Sequence, residues 1–285
     1  MIKKFIFLLF FAITNCYAQQ SIVVPTAAGG AVDALARRFA QFVESKTNKR
    51  IPIENVAGAG GNIGVTRFLH TNPNSLMITS GSWYISINED LFSLENFRPI
   101  AILAEAPYLL VTNPSQNLTC EKLKSSNTRY LIGTATMSVT EMVGKQISKK
   151  YPNVENVPYK AVRFAITDLL GNHINLAITG GTESVVQPLT ILANSTSHQI
   201  NGIPSFNECL GILGSGVTQD FLLVAHKNSD DAFIKEMESL VVEFLNSKKT
   251  QEYYQQTMMH NPKVGLKNIN SRVSEQLVRW KQLTR

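Results

Sequence analysis

Past its first residues the chain alternates short β-branched runs with segments of helical periodicity. "SIVVP" reads as a strand. The stretch after it, "AVDALARRFAQFVESKTN", sets Val32, Leu35, Phe39, Phe42 and Val43 on one helical face. "RIPIENV", "NIGVTRFLHTN" and "SLMITS" then predict strand, helix and strand. A second set follows, with "TRYLIG" as a strand and "SVTEMVGKQISKK" as a helix with Val139, Met142, Val143 and Ile147 on one side. "VENVPY", "VRFAITDLLGN", "INLAITG" and "LTILANS" carry the alternation on, and Gly171 is placed to stop a helix after Leu170. Elements in this order predict an α/β fold with a parallel sheet and a ligand crevice at the carboxyl ends of its strands.

Two similar apolar runs break the pattern, "APYLLVTNPSQ" and "QDFLLVAHKNS". They read as strands crossing between two lobes, outward at about 108–112 and back at about 221–226. Both as ordinary core strands of one domain is the competing reading. The expected division is a leader at 1–18, a first domain from 19–110 plus 226–285, and a second from 111–225. A chain of 285 residues suits one large or two medium α/β domains.

The opening "MIKKFIFLLFFAITNCYAQQ" places Lys3 and Lys4 before a short apolar core, then "CYA" with small residues where a signal peptidase cuts, after Ala18. Export to the periplasm is expected. Cys16 as a lipidated first residue is disfavoured, because Asn15 before it is atypical. Removing Lys3 and Lys4 takes Lys+Arg from 27 to 25 against 21 acids, leaving a net charge near +4. The basic residues are scattered, which argues against a nucleic-acid partner and at most helps gather small anions. Cys120 and Cys209 remain after processing; they pair in an oxidising compartment or stay as two small buried thiols. No metal-binding spacing involves them, and the five histidines show no catalytic spacing.

The candidate chemistry lies in two glycine-rich loops, "PTAAGGAVD" and "VAGAGGNIG", each between a strand and a helix. A helix N-terminus carries unpaired N–H groups and a partial positive charge. Glycine lets the backbone come close to a ligand. Neither loop holds Lys or Arg, so recognition falls to main-chain amides, and two such loops at neighbouring strand ends would cup one carboxylate. The alternative is that the glycines serve only tight turns. Asp33 either complements its own helix dipole or reaches into the pocket. "GAGGNIG" is not a dinucleotide fingerprint, because the third glycine position holds Ile63 and no acidic residue follows at the required distance.

"IVVPTAAGGAVD", "ENVAGAGGNIG", "NFRPIAILAEAPYLLVTNPS" and "NVPYKAVRFAITDLLGNHINLAI" together resemble the periplasmic receptors of tripartite tricarboxylate transporters, the Bug-type solute-binding proteins. The similarity covers nearly the whole chain after the leader. It implies a two-lobed periplasmic-binding-protein fold (Venus-flytrap, type II-like) with two crossing hinge strands. It further implies a monomeric, non-enzymatic receptor without cofactor that captures a small di- or tricarboxylate, or a related acid, and hands it to integral membrane permease subunits. A sensor subunit signalling to a kinase is the alternative function. The carboxylate cradle maps onto Ala28, Gly29 and Gly30 and onto Ala59, Gly60 and Gly61, with Asp33 as the family's loop aspartate. Thr136, Ser138 and Thr179 are the second lobe's candidates.

The second lobe departs from the family pattern. Glu141 stands where a histidine is common, and Ala161, Val162, Arg163 and Phe164 replace a flat glycine-rich turn. Arg163 is expected to pair with the ligand's distal carboxylate. "SVTE" also reads as a capping box with Ser138 at the N-cap and Glu141 three residues on. Trp83 and Tyr84 either close over the ligand or pack in the core.

Overall fold

The structure, a computed structural model, describes residues 20–80, 95–181, 188–196, 201–212, 218–262 and 268–283. The leader, Cys16, Trp83 and Tyr84 lie outside them.

The first half runs β1 (Ile22–Val24), α1 (Ala31–Thr47), β2 (Ile53–Asn55), α2 (Asn62–Leu69) and β3 (Leu76–Ser80). Strands β1, β2 and β3 are parallel in the order β2-β1-β3. Helix α1 forms where the period predicted it. It starts from an extended Gly30 and ends at a left-handed Asn48, whose amide returns to the Glu44 carbonyl. Its stripe of Val32, Leu35, Phe39 and Val43 is buried. Phe39 meets Phe244 of α7 (Asp231–Asn246) edge-on at 5.3 Å.

The second half contains α3 (Cys120–Ser125), β5 (Tyr130–Ala135), α4 (Val139–Lys150), β6 (Val154–Tyr159), α5 (Val162–Leu170), β7 (Leu176–Gly180), β8 (Thr190–Asn194) and α6 (Phe206–Leu210). Strands β7, β5 and β6 are parallel neighbours. Helix α5 stops at Gly171 as predicted, but Gly171 keeps right-handed geometry and the left-handed residue is Asn172.

One long strand, β4 (Phe97–Thr112), joins the two halves. From Phe97 to Pro107 it pairs antiparallel with β9 (Thr218–His226), and from Tyr108 to Val111 with β7. Strand β9 lies between β3 and β4. Residues 218–225, assigned from sequence to the second domain, therefore pair along the first half of the sheet. A single hydrophobic core runs beneath one face of both halves, from Val23, Phe68 and Met77 through Ile102, Tyr108 and Leu110 to Ile132, Val139 and Leu176. Among the described residues, the opposite face has two separate cores, one under α1 and α7 and one under α5. The fold is α/β and two-lobed.

Two further ties hold the frame. Cys120 and Cys209 form a disulfide joining the start of α3 to the last residues of α6, with Cα atoms 5.4 Å apart. The pairing that the sequence left open is thus present. Helix α9 (Ile269–Leu283) packs Ile269 and Val273 into the continuous core and sends Arg272 to two buried carboxylates. These are Glu105 on β4 and Asp220 on β9, opposite each other in register. Arg272 lies 3.3 Å from Glu105 Oε1 and 3.5 Å from Asp220 Oδ2. His260 faces Glu105 at 3.8 Å and bridges it through main-chain hydrogen bonds in both directions. Burial pushes the Asp220 carboxyl above its ordinary range, opposed by the Arg272 charge and a hydrogen bond from Thr218.

Candidate ligand-binding site

Loop one leaves β1 and enters α1; loop two leaves β2 and enters α2. Their strand ends are paired, with Val24 opposite Asn55 and the Val56 amide donating to the Val24 carbonyl. Asp33 organises loop one from within its own lobe. One carboxylate oxygen accepts from the Gly29 amide at 2.9 Å and Arg37 Nε at 3.0 Å, and the other from Asn55 Nδ2 at 3.0 Å. Asn55 also reaches the Thr26 carbonyl, so the aspartate fastens loop one to the end of β2. Burial alone would raise the Asp33 carboxyl; the donors Arg37, Gly29 and Asn55 outweigh it and hold the group below its ordinary range. Asp33 is ionised at neutral pH and committed to these three partners. The i, i+4 spacing to Arg37 was legible in sequence. The Asn55 contact was not.

Loop two is built from positive φ angles: 141° at Gly58, 46° at Ala59, 65° at Gly60 and 104° at Gly61. The Gly61 amide closes on the Gly58 carbonyl, and Asn62 Nδ2 donates to the Ala59 carbonyl at 2.7 Å. Gly64, in the first turn of α2, brings the two loops into contact. A Cβ there would stand 2.6 Å from both Pro25 Cβ and the Val56 carbonyl oxygen. Two of the three nearest atoms are main chain, which cannot rotate away. Gly64→Ala is therefore expected to cost about 1–3 kcal/mol and to shift α2 away from loop one. Urea unfolding checks the cost, and an unchanged midpoint would contradict it.

Strands β5 and β6 present the facing loops of the second lobe, with Ala135 opposite Tyr159 at their ends. Thr136 binds the Tyr159 carbonyl through its amide at 2.8 Å and its hydroxyl at 2.9 Å. Ser138 caps α4, accepting from the Thr140 amide and donating to the Ala135 carbonyl. Glu141 reaches the Met137 amide at 2.6 Å, one residue ahead of the N-cap, so the arrangement is a variant of the predicted box. Its other oxygen meets Lys145 at 2.8 Å. Thr179 is fully buried within β7, paired with Leu109 of β4.

Arg163 links the lobes. It sits in the first turn of α5 and its Nη1 donates to the Ala28 carbonyl of loop one at 3.4 Å. Its guanidinium also lies over the Phe164 ring, 4.8 Å from the centroid. The start of α5 therefore opposes loop one across the interlobe space. Helices α1, α2, α5 and α7 begin at Gly30, Gly61, Ala161 and Asp230 with no side-chain cap among the described residues, and the first three of these starts lie at the loops described here. Helices α3, α4, α6 and α8 (Lys248–Thr257) are each capped by a hydroxyl. The main-chain N–H groups at an uncapped start favour an anion. Ala28, Gly29, Ala59 and Gly60 are exposed, so the loop tips are open to solvent.

Residues 35–285 match the family model described as the tripartite tricarboxylate transporter family receptor. A curated relative from Agrobacterium vitis, an uncharacterised protein of the TAR-I intergenic region, is 28% identical over 180 residues, covering 59% of this chain. The match spans 52% of that relative, about half its length. Protein BugT of Bordetella pertussis is 24% identical over 259 residues, covering 82% of this chain and 78% of its own. Among solved structures, one described as a periplasmic transporter superposes with a TM-score of 0.82 at 21% identity, covering 93% of this chain and 96% of its own. MatC from Rhodopseudomonas palustris with bound malate superposes at 0.79 and 18% identity, covering 94% and 99%. A second R. palustris protein, with adipate, gives 0.79 and 18%, covering 93% and 95%. The sequence match over most of its length and the two-lobed frame around paired glycine-rich loops agree: this chain belongs to the tripartite tricarboxylate transporter receptor family.

Proposed function

We propose that the chain is a periplasmic solute-binding receptor that captures a small organic acid between its lobes and delivers it to a membrane permease. One observation carries this reading: Arg163 of the second lobe meets the Ala28 carbonyl in the loop that opens the uncapped helix α1. An anion at that point would receive main-chain N–H groups of the first lobe and a guanidinium from the second. Its binding would favour the closed arrangement of lobes. In this reading the carboxylate is held at the two loops by amides such as those of Ala28, Gly30 and Ala59, the Gly29 amide being taken by Asp33 and the Gly61 amide by the Gly58 carbonyl, with Asp33 bracing loop one and Thr136 and Ser138 shaping the opposing loop. We place the domain division in β4 near Pro107 and just before Thr218, where the pairing of β4 passes from β9 to β7. The leader at 1–18 would direct export.

The neighbours that carry malate and adipate lend support to a carboxylate ligand. Among the described residues, no helix is long and apolar enough to cross a membrane. The test is a thermal-unfolding screen against mono-, di- and tricarboxylates. A ligand present at a thousand times its Kd should stabilise the protein by about 4 kcal/mol. A screen in which no organic acid at millimolar concentration raises the melting temperature would end the proposal. Delivery is checked separately, by uptake of the identified acid in cells lacking the gene.

A further inference from the structure

Strand β4 is held by different parts of the molecule on either side of one link. Up to Glu105 it is gripped by the C-terminal segment. The Tyr254 hydroxyl donates to the Leu103 carbonyl, and the main chain of Glu105 bonds His260 through both its amide and its carbonyl. Tyr254 and Met259 are themselves sunk in the first lobe's core under α1 and α7. From Pro107 onward the ties go to the second lobe. The Pro107 carbonyl accepts from the Gly181 amide just after β7, and Tyr108 exchanges main-chain bonds with the Ser195 amide and hydroxyl, all at 2.8 Å. Ala106 alone lies between the two sets of ties, paired with Gln219 of β9. Proline has no N–H to give to a ladder, so Pro107 weakens the pairing where the strand changes lobes.

Arg272 acts at the same level. From α9 it reaches Glu105 on β4 and Asp220 on β9, and its Nη2 lies 3.5 Å from the hydroxyl of Thr218, the residue opposite Pro107. One planar fork thus spans both crossing strands up to their last described pair. Ile269 and Val273, on either side of it, fix α9 in the shared core.

Buried polar atoms without partners also collect at this link. The Tyr108 hydroxyl and the Gln219 side-chain oxygen are buried and accept or donate no hydrogen bond among the described residues. Gln219 Oε1 stands 2.1 Å from where a Cβ on Gly180 would be, and the Pro107 ring 3.2 Å from the same point on Gly181. Unpaired groups of this kind are costly in a fixed structure. A second arrangement of the lobes in which they find partners accounts for them.

We infer that the lobes turn about the Ala106–Pro107 link, and that Arg272 is the positioning residue that confines the turn there by binding β4 and β9 into one ribbon. A helix remote in sequence from the ligand loops then governs how far the lobes part. The inference deepens the receptor reading, since closure on a ligand would use this joint, but it requires no particular acid.

Pulsed electron paramagnetic resonance on the full chain, with Cys16→Ser, the disulfide kept and no acid added, tests it. Nitroxide labels at Glu44→Cys on α1 and Lys149→Cys on α4, both exposed positions, report the separation of the lobes. Labels at Glu44→Cys and Lys235→Cys on α7 stay within the first lobe. Arg272→Met keeps an apolar stem and removes the fork. It should widen the between-lobe distribution about twofold and leave the within-lobe one unchanged. Arg272→Lys keeps the charge without the fork and should widen it by a smaller factor. Pro107→Gly leaves the Arg272 cluster intact and should also widen the between-lobe distribution. Between-lobe distributions that match the parent's in the Arg272 variants overturn the brace. So does a within-lobe distribution that widens equally, because Arg272 is then an ordinary fold contact. An unchanged distribution in Pro107→Gly overturns the joint. The receptor reading is judged separately, by the thermal screen.

Discussion

Replacing Arg272 with alanine is expected to destabilise the protein by about 3–5 kcal/mol at neutral pH, because it leaves two buried carboxylates without their cation. Glu105 and Asp220 are almost wholly buried on adjacent strands, and Arg272 is the guanidinium that serves both. The sign of the pH dependence follows from Asp220. Its carboxyl is raised by burial in the folded state, so the folded protein binds that proton more readily than the unfolded chain. Stability from this group is full below the ordinary carboxylate pKa and declines as pH rises through the raised folded value. Without Arg272 the carboxyl should rise further, and the deficit should shrink on acidification. Urea unfolding at several pH values reads both effects. A deficit under about 0.5 kcal/mol, the size of an ordinary surface change, would mean that other groups carry the compensation.

Reducing the disulfide between Cys120 and Cys209 should cost about 4 kcal/mol, since the two residues are 89 apart in sequence and the bridge closes a long loop in the unfolded chain. In a protein of this size that corresponds to a fall of roughly 8–16 °C in melting temperature. Thermal unfolding with and without a thiol reductant measures it, and the Cys120→Ala/Cys209→Ala double variant should match the reduced protein. Coincident curves for oxidised and reduced samples would show that the bridge contributes nothing.

Local periodicity carried the parts of the fold that depend on neighbours in sequence. The apolar stripe of α1, the alternation through β3 and the second alternation from β5 to β7 are all one-dimensional patterns. The insertion of β9 between β3 and β4 is different. It depends on pairing between residues more than a hundred positions apart, and an apolar run does not say which edge it will join. The two loops were legible as glycine-rich turns feeding helices, but not the division of labour among their residues. Gly64 is required by the contact with Pro25 and Val56, a purely three-dimensional reason. The acceptor capacity of Asp33 is taken up by Gly29, Arg37 and Asn55. Arg163 drew notice as a cation in a turn, and its direction toward Ala28 could come only from the way the lobes face each other. The exposed Met137 drew no notice in the sequence, because exposure leaves no mark on composition.

The hydrophobic layer shared by both halves has an evolutionary corollary. Ile102, Tyr108 and Leu110 sit on one strand and are covered from both directions, so neither half retains a finished interior when cut at β4. Recombination that trades one half between paralogues would join mismatched interiors and be selected against. New preferences in this lineage should therefore arise by point substitution in the turns at the rim, as at residues 161–164, and gene histories of the two halves should coincide.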